Sequence, residues 1–153
     1  MRIGRFEAEG TERIGLFEGD TVTDVSSEFE DFQDALTRPE DAAGVDGDTF
    51  DRDEITHKPP TTDRNTVFCA ALNYEAHAEE SNIDVPERPL VFMKLARTLV
   101  GHREPISYHT RVTEEIDYEA ELAAVIGEQA RHVDSEDALD YVAGYTILND
   151  TSA

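Results

Sequence analysis

Apolar and polar positions alternate with period two over much of this chain, the spacing of half-buried strands. Three such stretches open it, Arg2 to Glu7, Arg13 to Glu18 and Thr21 to Val25. Glu9-Gly10 and Gly19-Asp20 separate them as turns, so the pattern predicts a β-meander. The period then changes. Ser27 with Glu30 three residues on has the form of a capping box, and Phe29, Phe32 and Leu36 recur at helical spacing, which predicts a short helix ending near Leu36. From Thr37 to about Asp53 the chain is acidic and rich in Gly and Ala, and reads as a loop with room for one helical turn. Lys58-Pro59-Pro60 can continue neither a helix nor a central strand, which ends a small N-terminal β-domain near residue 62.

Beyond that boundary the apolar runs lengthen. Thr66 to Leu72 reads as a buried strand, Asn73 to Ser81 as a short helix, Asn82 to Pro89 as a proline-bounded loop, and Leu90 to Leu95 as a second strand. Ala96 to Thr113 has no clear period and reads as loop. In Glu115-Ile-Asp-Tyr-Glu-Ala-Glu-Leu-Ala-Ala-Val-Ile-Gly127, Glu115, Asp117, Glu119 and Glu121 fall on one face of a strand and Ile116, Tyr118, Ala120 and Leu122 on the other. The run Ala-Ala-Val-Ile that follows predicts a strand running into a core buried on both faces. Ser135 is placed to cap a helix through Tyr141, and Ala143 to Asn149 makes the last strand. The fold class is α+β and β-rich.

Composition changes the picture in one respect. Of 153 residues 35 are Asp or Glu and 13 are Lys or Arg, a net charge of −22, and only Lys58 and Lys94 are lysines. An acidic, lysine-poor surface suits folding in high salt, where screening suppresses self-repulsion. High net charge is also a mark of disorder. Against disorder, 39% of residues are hydrophobic and they are gathered in strand-sized runs. A polyanion with no basic stripe is a poor partner for nucleic acid. Cys69 lies in the apolar run Val67 to Leu72, which predicts a buried structural thiol. No stretch has the length of a membrane span and the first residues lack the apolar core of a leader, so the expected location is the cytoplasm.

The acidic row has two readings. With acids at roughly a quarter of all positions, such a row can be no more than the wet face of a strand in an acidic protein. Alternatively, carboxylates at the edge of a core repel one another and lose hydration, and a cation relieves both. Oxygen-only ligands favour Mg²⁺, Mn²⁺ or Ca²⁺. Asp150, after the last strand, could add a third carboxylate to the same ion, or Asn149-Asp150 is simply a turn.

His77 and Glu80 stand three apart and share a helix face, which suits a base whose imidazole is oriented by a carboxylate; an exposed helix with a solvated histidine is the alternative. Lys94 ends the apolar run Leu90-Val-Phe-Met, where an ammonium can hold a carboxylate or a developing oxyanion, unless it is an ordinary surface lysine. His102, His109 and His132 lack partners at informative spacings and read as surface residues. Phosphate-cradling glycine loops, CxxC pairs and HExxH sites are absent.

Taken in order, Asn73-Tyr74 with His77 and Glu80, then Phe92-Met93-Lys94, then Asp117-Tyr-Glu-Ala-Glu-Leu122 with Val125-Ile-Gly127, then Gly144-Tyr145 with Asn149-Asp150-Thr-Ser-Ala153 resemble the fumarylacetoacetate hydrolase family over residues 66 to 153. The resemblance implies a small N-terminal β-domain at 1–62 and, at 63–153, the first part of a mixed β-roll catalytic domain. It implies a divalent ion, Mg²⁺ or Mn²⁺ most often, held by Glu119, Glu121 and Asp150, with His77 and Glu80 activating water and Lys94 binding substrate or stabilising an enolate. The implied activity is hydrolysis of a C–C bond in a 2,4-dioxo acid. Isomerisation or decarboxylation of a hydroxyhepta-dienedioate, and sugar-acid dehydration, use the same enolate machinery. The implied partner is a small 2-oxo acid, with no nucleic acid or membrane, and family members are commonly homodimers. In the family an Arg-Asp pair and further strands follow Ser152-Ala153, so a chain ending there is expected to be weakly active or inactive alone. Outside the enzymes, a non-catalytic cation-binding remnant and a purely structural acidic protein fit the same residues.

Overall fold

The N-terminal alternation forms the expected meander and recruits two further strands. In the computed structural model, which describes every residue except Asp63, the chain falls into two compact units, Met1–Pro60 with Gly101–Ala153, and Thr61–Val100. Residues 101–153 group with the N-terminal segment.

In the first unit, β1 (Ile3–Ala8), β2 (Thr11–Glu18), β3 (Thr21–Asp24), β4 (Thr49–Asp51) and β5 (Thr56–Lys58) make an antiparallel sheet in the order β4-β3-β2-β1-β5. Both faces of this sheet are covered. Ile3, Ile14 and Leu16 share one face, because Ile3 pairs with Leu16 and Arg5 with Ile14, and they pack with Val25, Phe29, Phe32, Ala35 and Ala42. Phe6, Ala8 and Val22 cluster with Phe17, Phe50 and Ile55 on the other. Phe6, Val22 and Val25 are the largest fully buried side chains. Gly15 is what lets the second cluster close: a Cβ there would collide with Val22 Cγ2 and lie 2.8 and 2.9 Å from the Phe6 ring.

Strand β4 lies where a loop was expected, and β5 follows just beyond it. Each is three residues long at a sheet edge, held by one buried pairing partner, Phe50 opposite Val22 and His57 opposite Phe6. The capping box does not form either. The Ser26 hydroxyl accepts from the Ile14 amide at 2.8 Å and donates to Asp24 at 2.6 Å, which holds Ser26–Glu28 in a 3₁₀ turn. Helix α1 (Phe32–Thr37) starts later, capped by Asp31, whose carboxylate accepts from the Asp34 amide at 2.9 Å.

The second unit is a two-stranded antiparallel ribbon of β6 (Thr66–Ala71) and β7 (Leu90–Leu95), joined through α2 (Glu75–Glu80) and a loop. The sequence predicts buried strands here, and the structure corrects this. Phe68, Val91, Met93 and Leu95 are exposed, as are Leu90 and Phe92 on the other face, and Cys69 is only half-buried. An apolar run carries a strand's propensity to be covered, but a two-stranded ribbon has two open faces and cannot cover itself.

The first unit resumes at Gly101 and ends in a second ribbon, β8 (Ala120–Ile126) against β9 (Val142–Asn149). Ser135 does not begin a helix; a 3₁₀ turn at Ala138–Tyr141 precedes β9. Gly127, at the end of β8, touches α1: its carbonyl accepts from Gln33 Nε2 at 2.5 Å. The expected burial of β8 on both faces also fails. Ala123 and Val125 are half-buried, while Leu122 and Ile126 on the opposite face are exposed.

Candidate metal centre

The register of β8 on β9 decides where the carboxylates stand. Glu121 faces Leu148 and Ala120 faces Asn149, so one step further out Glu119 faces Asp150. The Asp150 amide donates to the Glu119 carbonyl at 2.8 Å, and Asp117 and Ser152 exchange bonds at 2.9 and 3.1 Å beyond. Directly paired residues project to the same side of a ladder, and so do residues two apart on one strand. Glu119, Glu121 and Asp150 therefore share one face of this ladder. It is the better covered face, with Glu119 and Glu121 half-buried and Asp150 only 5% exposed. The other face carries Tyr118 at 78% and Ile147 at 85% exposure, with Leu122 opposite Ile147 and Tyr145 beyond, both exposed. Acid inside and apolar outside reverses the usual order of a half-buried strand.

The acidic row is shorter than the sequence pattern. Glu115 lies outside the paired stretch, and Asp117, though paired with Ser152, has its carboxylate turned to accept from the Tyr118 amide at 2.9 Å. The remaining three donors fit a hard divalent ion in chemistry and in placement, because facing Cβ atoms on a ladder lie about 5 Å apart and diagonal ones about 7 Å, within reach of glutamate side chains. Among the described residues, no three His, Cys, Asp or Glu side chains are drawn together round a common point.

The other expected site residues lie in the second unit. His77 and Glu80 fall on α2, three residues apart and both exposed. Lys94 is half-buried on β7 opposite Val67, its ammonium 6.0 Å from the centre of the Phe92 ring. Two features escaped the sequence reading. His102, expected as a lone surface residue, meets His57 edge to face at 5.3 Å, and His57 stacks on Phe17 at 5.5 Å. Burial, helped by His102, Arg52 and Arg103, pushes the His57 imidazole below its ordinary value. Asn149 also does more than end a strand: its side-chain carbonyl accepts from the Glu119 amide at 3.1 Å.

With this geometry in hand, comparison with known proteins gives the class. The model of the fumarylacetoacetate (FAA) hydrolase C-terminal region matches residues 66–153, and the chain belongs to that family. A curated relative, the mitochondrial oxaloacetate tautomerase fahd2 of Xenopus laevis, is 33% identical across all of this chain and 52% of its own length. Among solved structures, a fumarylacetoacetate hydrolase from Exiguobacterium antarcticum is 30% identical with a TM-score of 0.77, covering 99% of this chain and 56% of that one. A maleylpyruvate hydrolase from Sphingobium, solved with manganese(II) and pyruvate, shares the fold at 24% identity and a TM-score of 0.79, over 99% of this chain and 58% of its own. The chain therefore spans about half the length of these relatives. Its mixed α+β, sheet-dominated architecture is theirs.

Proposed function

We propose that this chain carries the ion-binding part of a fumarylacetoacetate hydrolase family enzyme acting on a 2-oxo acid through its enolate. The observation that carries this reading is the ladder that sets Glu119, Glu121 and Asp150 on one covered face. Three oxygen donors suit Mg²⁺ or Mn²⁺, with Ca²⁺ as a further candidate. The Sphingobium neighbour, with manganese and pyruvate, supports that combination of ion and acid. When bound, such an ion supplies Lewis-acid stabilisation of enolate charge.

The chain's own residues supply the rest. Glu119, Glu121 and Asp150 hold the ion. The Lys94 ammonium neutralises a substrate carboxylate or enolate oxygen. His77 takes up and returns a proton, with Glu80 orienting its imidazole. The roles of His77, Glu80 and Lys94 rest on their motifs alone, and those of the three ligands on motif and register together. In the same reading, residues 1–62 are the small β-domain that precedes the catalytic one, 63–153 belong to the catalytic domain, and the whole protein is a cytoplasmic homodimer.

Proton transfer between carbon and oxygen, a keto–enol tautomerisation, is the reaction we place first, because the Xenopus relative that matches the whole chain is an oxaloacetate tautomerase. Hydrolysis of a C–C bond in a 2,4-dioxo acid is the second reading, favoured by the His77–Glu80 spacing, which suits activation of water. Thermal melts in molar KCl with and without millimolar Mn²⁺ test the ion site, beside a Glu119→Gln/Glu121→Gln variant. A ligand at a hundredfold excess over its Kd stabilises the folded state by about 2.7 kcal/mol. A saturable rise confined to the native chain is expected; an equal rise in both proteins would reduce the carboxylates to salt-adapted surface. Parallel assays of enol-oxaloacetate decay and of acylpyruvate loss, with His77→Ala as control, separate tautomerase from hydrolase.

A further inference from the structure

In a regular antiparallel ladder, residues facing each other in a hydrogen-bonded pair exchange two bonds, each amide donating to the other's carbonyl. Asp117 and Ser152 do so. Glu119 and Asp150, the next such pair, make only half of the exchange. The Asp150 amide donates to the Glu119 carbonyl at 2.8 Å, but the Glu119 amide turns instead to Asn149 Oδ1 at 3.1 Å. The Asp150 carbonyl accepts from the Ser152 hydroxyl at 3.0 Å. Both peptide groups of Glu119 are thus held by consecutive residues of one strand end, one through a side chain and one through the backbone.

We propose that Asn149 is a positioning residue for the carboxylates of Glu119 and Asp150, acting through the Glu119 amide; this rests on the ion-binding reading above. The side-chain carbonyl occupies the bonding position that the Asp150 carbonyl would take in a regular ladder. Without it, the Glu119 amide is left to water or to the Asp150 carbonyl, which has a second lone pair beside the one taken by Ser152. Either exchange loosens the hold of Asn149 on the Glu119 peptide or draws the two strand ends into a different spacing. Partners that fix a ligand without touching the ion commonly alter affinity by about ten- to a hundredfold.

The test titrates Mn²⁺ into the 153-residue chain, following free and bound ion by electron paramagnetic resonance. Asn149→Ala removes the acceptor, Asn149→Asp keeps an oxygen at the same place, and Glu119→Gln removes a ligand. Hydrogen exchange at the Glu119 amide in the ion-free proteins gives a readout independent of charge. The expected result is a Kd raised about tenfold in Asn149→Ala with an altered spectrum of the bound ion, a value near native in Asn149→Asp, and amide protection lost only in the alanine variant. Native-like binding by Asn149→Ala while Glu119→Gln has lost the ion would overturn the role of Asn149 and leave the site intact. Equal weakening in the alanine and aspartate variants would overturn it too. Native-like binding by Glu119→Gln would remove the ion-binding reading itself, and this inference with it.

Discussion

Gly15→Ala adds one methyl group at the most crowded point of the N-terminal sheet. The new Cβ would overlap Val22 Cγ2 and stand 2.8 and 2.9 Å from Phe6 ring carbons, against an ordinary contact of 3.4 to 4 Å. Neither neighbour can step aside, because Phe6 and Val22 are fully buried and Phe6 is wedged edge-on between Phe17 at 6.2 Å and Phe50 at 5.6 Å. Overpacking of this kind costs about 1–3 kcal/mol. For a chain of this size each kcal/mol lowers the midpoint by about 2–4 °C. Gly144→Ala is the matched control. Gly144 also lies within a strand, but a Cβ there meets nothing within 4 Å. Replacing glycine there removes chain entropy from the unfolded state and adds up to about 1 kcal/mol. Thermal melts of both variants in molar KCl should therefore move in opposite directions. If Gly15→Ala melts with the native protein, or if both variants fall together, crowding by Phe6 and Val22 is not what requires glycine.

Three further outcomes follow from charges and caps. Because His57 is held below its ordinary value of 6.5, first by burial and then by His102, Arg52 and Arg103, the unfolded chain binds its proton first as pH falls. That contribution is complete above 6.5 and drains as pH drops through the depressed value, so stability should decline as pH falls below 6.5 and decline less in His57→Gln. Asp34, held near about 2 by Arg38 and the Glu30 amide, acts only in a lower window, below 3.8. With a net charge of −22, the chain should gain stability steeply as KCl rises towards molar concentration, and a flat response would refute adaptation to salt. Asp31→Ala should cost about 0.5–2 kcal/mol in chemical denaturation and Ser27→Ala almost nothing, since Asp31 and not Ser27 caps α1.

The sequence reveals most where a single period fixes the outcome. The three opening strands could be read because their alternation is bounded by turns, and Glu119 and Glu121 could be placed on one face because two-residue spacing allows nothing else. The later strands were legible as strands but not as surfaces. An apolar run such as Leu90 to Leu95 does not say whether anything lies against it. The start of α1 was misplaced because the same short segment offers several caps, and a distant bond from Ile14 to Ser26 selects among them. The bond from the Glu119 amide to Asn149 was hidden for a related reason. Which oxygen satisfies an amide depends on residues 30 apart in the chain returning in one alignment.

That alignment has a consequence for how the proposed ion site can change over time. Its carboxylates are addressed by pairing between β8 and β9, not by a loop shaped around an ion. A shift of one residue in β8 would turn Tyr118 and Leu122 into the covered face and send Glu119 and Glu121 to the surface, and a shift in β9 would do the same with Ile147 and Asp150. The segment between the strands, from Glu128 to Asp137, can lengthen or shorten without moving Glu119, Glu121 or Asp150, provided the pairing is kept. Single-residue insertions or deletions within β8 or β9 cannot be absorbed in that way. Divergence should therefore accumulate as length variation in the connection and as substitution on the exposed face, while spacing within the two strands stays fixed.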